Sequence, residues 1–250
     1  MKPLLVLQMG RPPEGVRQRV AEQPDWIKKA LETTDSAVRV VRPFDGEPLP
    51  GEHEYAGAIV TGSWSNVTDH EEWSERTAQW LRTARADGLP LFGICYGHQL
   101  MSYAFGGVVD YHPKGREIGQ YELSLVEGHE EDALLKDLPS HFRVNLTHEQ
   151  TVLEPPKGAR VLGRTSHDPH QILHYGGDVW SVQFHPEFTP EVLGACIELR
   201  AEKLKTEGWD VASLLSNLYP TEMAASLLQR FAQRVRQAER DASSVDSLLG

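Results

Sequence analysis

The chain has 250 residues, of which 40% are hydrophobic, a formal net charge of −11 and two cysteines. This amount of apolar material can form a core without cross-links, and the acidic balance disfavours a nucleic-acid partner. Two cysteines are too few for a disulfide framework, and the apolar runs are too short for a signal peptide or a membrane span, so we expect a cytoplasmic protein with no membrane partner.

The first part of the chain predicts alternating strands and helices. Four short apolar runs predict buried strands, at residues 3–8, 38–41, 58–60 and 89–94. We expect a helix with Trp26 and Leu31 on its inner side after the first strand, and another, capped by Asp69, after the third. Buried strands that alternate with helices indicate an α/β fold with a mostly parallel open sheet and helices on both faces. Ligands of such sheets bind beyond the carboxyl ends of the strands.

The fourth predicted strand runs into the sequence Gly93-Ile94-Cys95-Tyr96-Gly97, and a helix is predicted over residues 98–105. This pattern is the thiol counterpart of the nucleophile elbow, a sharp strand-to-helix turn that exposes one side chain at the end of a sheet. A helix N-terminus also favours a thiolate over a thiol. We therefore predict that Cys95 is a nucleophile; the alternative is a buried cysteine that packs as a small hydrophobe.

Beyond Gly107 the pattern changes to short β pieces, which we predict at residues 108–111, 121–126, 171–175 and 180–184. The sequence Gly176-Gly177-Asp178 predicts a hairpin between the last two. A helix is predicted to begin at Pro190 and to run to about residue 205.

We divide the chain into a domain at residues 1–205 and a C-terminal helical extension at residues 206–250. In the extension, Thr221 is the expected cap of an amphipathic helix. Its predicted apolar face consists of Met223, Leu227, Leu228, Phe231 and Val235. This helix could pack on its own domain, which we favour, close over a site, or dock a partner. Residues 242–250 are expected to fray.

A thiol nucleophile needs a general base, and the base needs an orienting group. His185 and Glu187 follow the last predicted strand and are separated by one proline. Residues two apart in an extended chain point the same way, so Glu187 can orient the imidazole of His185. His148 is the second candidate base, but its neighbour Glu149 would point away from it.

Attack of a thiolate on a carbonyl produces an oxyanion, which two N–H donors can stabilise. The main-chain amide of Tyr96, at the start of the predicted helix, is one natural donor. The turn Thr61-Gly62-Ser63 ends the neighbouring strand and can supply the second donor through Gly62 or Ser63. A plain strand-ending turn would have the same composition.

Three separated motifs together resemble the class I (triad-type) glutamine amidotransferases, namely residues 61–63, 93–99 and 183–187. The resemblance spans residues 4 to 200 approximately, and it is greatest to the amidotransferase half of GMP synthase and its free-standing relatives. It implies a flavodoxin-like sheet and a triad of Cys95, His185 and Glu187. This triad would hydrolyse the side-chain amide of glutamine through a γ-glutamyl thioester and release glutamate and ammonia.

The resemblance also implies a set of substrate contacts: Gln99, Glu117, Ile118, Gly119, Thr147 and His148. Residues 116–119 would hold the amino-acid end of the substrate through their backbone, and residues 147–149 would form the substrate-side loop. The chain departs from the family pattern at Thr61, where a glycine is usual, and at Gln150, where the family has an aspartate.

The sequence contains neither a P-loop nor a pyrophosphatase loop for ATP, so this chain alone would not activate an acceptor for amination. Residues 167–170 match no closed zinc pattern, and we expect no cofactor and no metal. An amidotransferase that acts on glutamine would need a synthase partner in trans. A self-sufficient hydrolase of γ-glutamyl peptides or conjugates would not, and a regulatory protein without activity is the third alternative.

Overall fold

The computed structural model describes residues 2–249, and the side chains of all of these except Asp35, Glu52 and residues 242–249. The last helix runs from Glu222 to Leu249, so the fraying predicted for residues 242–249 was wrong, and Gly250 lies outside the described residues. Within this range the strands are β1 (Leu4–Leu7), β2 (Val38–Val41), β3 (Gly57–Val60), β4 (Leu91–Ile94), β5 (Val108–Tyr111), β6 (Glu117–Leu125), β7 (His141–His148), β8 (Gln150–Glu154), β9 (Arg160–Arg164), β10 (Ile172–His174) and β11 (Val179–Val182).

The α-helices of the described residues are α1 (Glu14–Val20), α2 (Gln23–Ala30), α3 (Glu72–Ala86), α4 (Tyr96–Ala104), α5 (Pro190–Leu199), α6 (Ala201–Thr206), α7 (Val211–Ser216) and α8 (Glu222–Leu249). Among them, none combines the length and the apolar character that crossing a bilayer would require.

Nine strands form one mixed sheet in the order β2-β1-β3-β4-β11-β10-β9-β6-β7, while β5 and β8 pair separately. The pairs from β2 to β11 are parallel, which confirms the predicted flavodoxin-like α/β fold. The remaining pairs are antiparallel, and the hairpin of β10 and β11 confirms the turn predicted at residues 176–178. The antiparallel strands thus continue the parallel sheet beyond β11.

Helices cover both faces of the sheet, as predicted. Successive side chains of a strand point to opposite faces, so β1 contributes to two separate apolar clusters. Leu5 and Leu7 pack on the side of α3 and α4, whereas Leu4 and Val6 pack on the side of α2 and α8.

Helix α8 packs into the main core, which is the arrangement we favoured. Leu227, Leu228 and Phe231 are fully buried, and the rings of Phe231 and Phe92 lie 5.4 Å apart. Met223 is 42% exposed, so its assignment to the apolar face was wrong. Ala224 takes its place, because it lies seven residues before Phe231 and so shares one helix face with it. The boundary at residue 205 stays a prediction.

Several elements differ from those predicted. Asp69 lies in a short 3-10 turn, and α3 begins three residues later with Glu71 at its N-cap. Two helices, α1 and α2, follow β1 where one was expected. The helix predicted from Pro190 is interrupted at Arg200, where α5 ends. The sequence patterns also missed β7, β8, β9 and α7.

We predict that Phe231→Ala lowers the free energy of unfolding by about 3–5 kcal/mol, because it leaves a cavity beside Phe92 in the main core. Urea unfolding followed by circular dichroism measures this loss. The control is Met223→Ala on the same helix, which should change stability by less than about 0.5 kcal/mol. A small effect of Phe231→Ala, or a separate unfolding transition for α8, would show that the helix is an appendage.

Candidate active site

Cys95 occupies the turn between β4 and α4, with φ of 51° and ψ of −101°. A positive φ is unfavourable for a residue with a side chain, so neighbouring contacts must hold it. The Cys95 N–H donates to the carbonyl oxygen of Val182 at 2.8 Å, and the Cys95 carbonyl oxygen accepts from the Gln99 N–H at 3.0 Å. The turn thus joins the end of β11 to the first turn of α4.

The two glycines of the motif allow this turn to pack closely against its surroundings. A Cβ atom on Gly97 would lie 2.3 Å from the carbonyl oxygen of Val60 on β3. A Cβ atom on Gly93 would lie 2.6 Å from the sulfur of Met101 and 2.7 Å from the carbonyl oxygen of Gly97. The Gly-x-Cys-x-Gly pattern is therefore a steric requirement of the turn.

His185 and Glu187, which follow β11, lie beside this turn. The His185 N–H donates to the carbonyl oxygen of Asn145 at 2.9 Å, and its ring Nδ1 lies 2.8 Å from Oε1 of Glu187. The imidazole also lies close enough to the Cys95 thiol for each group to shift the pKa of the other, and it stacks on the ring of Phe188. The structure therefore brings Cys95, His185 and Glu187 into one chain of contacts.

The surroundings favour the charged forms of Cys95 and His185. Burial raises the pKa of the Cys95 thiol, but the charge of His185 and its hydrogen bond, helped by the charge of His148, bring the pKa below its ordinary value. Burial lowers the pKa of His185, but the charges of Glu187 and Cys95 outweigh burial and raise it to about 10. Both shifts favour the thiolate–imidazolium pair over the neutral pair.

The three predicted oxyanion residues lie around this pair. Ser63 and Tyr96 line a cavity beside Cys95. A Cβ atom on Gly62 would lie 2.9 Å from Cε1 of His185 and 3.7 Å from Cβ of Cys95. The amide of Tyr96 belongs to the first turn of α4, where N–H groups have no partner within the helix. The use of these amides as oxyanion donors stays a prediction.

The cavity beside Cys95 has a volume of about 300 Å³. Three of the six predicted substrate contacts line it, namely Gln99, Thr147 and His148. The amide nitrogen of Gln99 already makes two hydrogen bonds within the protein. It donates to the carbonyl oxygen of Gln150 at 2.6 Å and to Oε1 of Gln183 at 3.0 Å.

The other three predicted contacts lie in β6, which pairs with β7. The Glu117 side chain is fully buried and contacts His148, while Ile118 packs in the apolar cluster around α5. Gly119 has a φ of 108°, and a Cβ atom there would lie 2.9 Å from the side chain of Leu214 on α7. Of residues 116–119, Arg116 lines the cavity. The substrate contacts of Glu117, Ile118 and Gly119 stay a prediction.

His148 has Glu117 as its carboxylate partner, and both of its ring nitrogens are engaged. Nδ1 lies 2.9 Å from the carbonyl oxygen of Gln150, and Nε2 lies 2.9 Å from Oε2 of Glu117. The Glu117 carboxylate also accepts from Thr165 and Gln171. Because both ring nitrogens face acceptors, both must carry a proton, and His148 is an imidazolium rather than a free base.

The pKa of His148 agrees with this assignment. Burial lowers it, but the hydrogen bond and charge of Glu117, together with the charge of Asp168, bring it above its ordinary value. His148 is thus a second positive charge beside Cys95.

One group of ligand atoms from Glu117, His148 and Asp168 is compact enough to hold a metal ion, because the atoms lie within 4.8 Å of one another. The carboxylates already accept several hydrogen bonds, including one from the amide of His170 to Asp168 at 2.8 Å and one from Thr165 to Glu117 at 2.6 Å. A metal ion would have to displace these donors and the proton on His148. The group therefore fits a hydrogen-bonded network better than a metal site.

The sequence analysis missed the cations that line the cavity from the α5–α6 junction, Arg200 and Lys203. The structure ends α5 at Leu199, but no glycine or proline marks that break in the sequence, so no local signal pointed to these two residues.

The model of the glutamine amidotransferase class-I family matches residues 24–199. The chain is 37% identical over 163 residues to one of the subunits of the glutamine-hydrolyzing GMP synthase from Saccharolobus solfataricus, a match that spans 64% of this chain and 81% of that protein. It is 28% identical over 167 residues to gamma-glutamyl peptidase 2 of Arabidopsis thaliana, over 66% of each chain.

A crystal structure of a glutamine amidotransferase from Thermotoga maritima superposes with a TM-score of 0.75 at 21% identity, over 94% of this chain and 99% of that one, and so shares the fold. The matches to several GMP synthases span only 20–25% of the length of those proteins.

We predict that iodoacetamide alkylates Cys95 with a pH midpoint below the value of about 8.5 that is typical of a cysteine. Neighbouring positive charges lower the pKa of the Cys95 thiol and so preserve the thiolate at lower pH. Loss of one of these charges should therefore move the midpoint of alkylation to higher pH. His185→Gln should cause the larger shift and His148→Gln a smaller one. Alkylation rates across a pH series, located by peptide mass mapping, measure these midpoints.

Cys196 is the internal control for this experiment. Burial raises its pKa to about 11, so it should remain unmodified at neutral pH while Cys95 reacts. Equal midpoints in the wild type and both variants would contradict the proposed electrostatics.

Proposed function

The chain belongs to the class-I glutamine amidotransferase family, and on this premise we propose that it is a cysteine-dependent hydrolase of γ-glutamyl amide bonds. Cys95 is the nucleophile, His185 the general base and acid, and Glu187 the group that orients His185. The observation that carries the proposal is the contact of the Cys95 thiol with a carboxylate-bound imidazole beside an open cavity. The same contact argues against a purely regulatory role.

In the first step, the Cys95 thiolate attacks the γ-carbonyl carbon of the substrate, and the oxyanion accepts hydrogen bonds from the amides of Tyr96 and the turn at Gly62 and Ser63. The C–N bond then breaks, and the His185 imidazolium donates its proton to the leaving nitrogen. A water molecule, deprotonated by His185, attacks the resulting γ-glutamyl thioester. Its hydrolysis releases glutamate and restores the thiolate.

Glutamine is the simplest substrate for this reaction, and its leaving group is ammonia. The relative from S. solfataricus is part of a GMP synthase, which supports a role in which ammonia passes to a synthase partner bound in trans. The two free cysteines suit a reducing compartment, so we propose that the protein acts in the cytoplasm.

A γ-glutamyl peptidase is the second candidate function. The relative from A. thaliana supports it. The cation Arg200, which lines the cavity, supports it as well, because a cation there could bind the carboxylate of a leaving amino acid. The peptidase would use the same thioester chemistry with an amino acid or peptide as the leaving group.

We predict that Cys95→Ala lowers the release of glutamate from γ-glutamyl substrates by at least about 1,000-fold, because no other group can form the thioester. Glutamate and ammonia assays on the purified protein measure this loss. Cys196→Ala is the matched control and should retain most of the activity. Thermal unfolding of both variants checks that the fold persists, and turnover retained by folded Cys95→Ala would reject the mechanism.

A further inference from the structure

Arg200 lies at the junction of α5 and α6, where its side chain lines two cavities at once. One is the cavity beside Cys95, and the other is a smaller cavity bordered by Gly62 and His185. The side chain is held by its own helix, because Nη1 donates to the carbonyl oxygen of Cys196 at 3.3 Å. Arg200 and His185 therefore border the same small cavity.

Two other cations that line the cavity, Arg116 and Lys203, form ion pairs with glutamates, whereas Arg200 does not. Arg116 pairs with Glu149 and with Glu207, and Lys203 also pairs with Glu149, at 2.5 Å. Arg200 contacts the ring of Trp64, with 5.8 Å to its centroid, and among the described residues no carboxylate pairs with it. The Arg200 residue is partly buried, and a partly buried guanidinium without a counter-ion is stabilised when a ligand supplies the anion. Burial accordingly lowers the pKa of Arg200.

Two residues that line both cavities carry a buried polar atom with no hydrogen-bond partner among the described residues. Nε1 of Trp64 and Oγ1 of Thr147 are buried, and among the described residues neither makes a hydrogen bond. Both residues line the same two cavities as Arg200. An indole N–H is purely a donor and a hydroxyl can donate, so both could bond to the oxygens of one carboxylate beside Arg200.

This carboxylate would belong to the leaving group. His185 gives its proton to the leaving nitrogen, so the cavity that borders His185 lies on the leaving-group side of the scissile bond. Resting on the proposed γ-glutamyl chemistry, we propose that Arg200, with Trp64 and Thr147, binds the carboxylate of the leaving amino acid. The substrate class is then γ-glutamyl amino acids and peptides that carry a free carboxylate on the leaving group.

The reaction remains the one derived for the site. The bond between the γ-carbonyl carbon and the peptide nitrogen breaks as the thioester to Cys95 forms, and His185 protonates that nitrogen. The leaving amino acid departs as a free amine with its carboxylate on Arg200, and water then converts the thioester to glutamate.

The test compares kcat/KM for three substrates: γ-glutamylglycine, its C-terminal amide, and glutamine. The wild type should prefer γ-glutamylglycine to both others. Arg200→Gln should lower kcat/KM for γ-glutamylglycine by about 10- to 100-fold, the size of a lost charged hydrogen bond, and should change the amide and glutamine by less than about threefold. Lys205→Gln, on the exposed face of α6, is the control and should match the wild type on all three.

The outcomes separate this inference from the proposed function. Hydrolysis of all three substrates at equal rates by the wild type would overturn the carboxylate site and leave the thioester mechanism standing. An equal loss on all three substrates in Arg200→Gln would also overturn it. No hydrolysis of any substrate would overturn the proposed function and the inference together. If Arg200→Gln fails to fold in a thermal-unfolding assay, the wild-type preference for γ-glutamylglycine over its amide decides the question alone.

Discussion

The contact between the Cys95 thiol and the His185 imidazole is the interaction on which the rest of the proposed site depends. It exists because β4 and β11 are adjacent and parallel, with Ile94 opposite Val182. Their carboxyl ends therefore lie at the same edge of the sheet, and the Cys95 N–H donates to the carbonyl oxygen of Val182. A parallel sheet in this order brings together two proposed catalytic residues that are far apart in the sequence.

Two features of this pair are energetically unfavourable by themselves and are stabilised by the surrounding residues. One is the positive φ of Cys95, which the main-chain hydrogen bonds and the close packing of Gly93 and Gly97 maintain. The other is the burial of the charged groups, which would be unfavourable for either group alone. Glu187 and the charged His148 offset that burial, whereas burial outweighs the charge of Arg200 beside Cys196, whose pKa stays raised. The two cysteines of one chain thus differ in the direction of their pKa shifts because of their neighbours.

The sequence predicted the parts of the molecule whose signals are local. The glycines around Cys95 predicted the strand-to-helix turn, and the spacing of His185 and Glu187 predicted their contact. Strand β7 was missed because Arg143 and other polar residues interrupt its apolar run, and β9 because only three residues separate its terminal arginines. The pairing of Glu117 with His148 depends on the register of β6 against β7, which no local pattern specifies. Arg200 was missed because its proposed role follows from the lack of a carboxylate partner among the described side chains, which only the three-dimensional arrangement shows.

The central claim is that Cys95 forms a covalent γ-glutamyl thioester, and acid quenching during turnover of a γ-glutamyl substrate tests it most directly. Peptide mass spectrometry of the quenched protein should show an added γ-glutamyl group on the peptide that contains Cys95 and none on the peptide that contains Cys196. Glutamate release with no adduct on Cys95 under conditions that preserve thioesters, or an adduct on Cys196, would contradict the account.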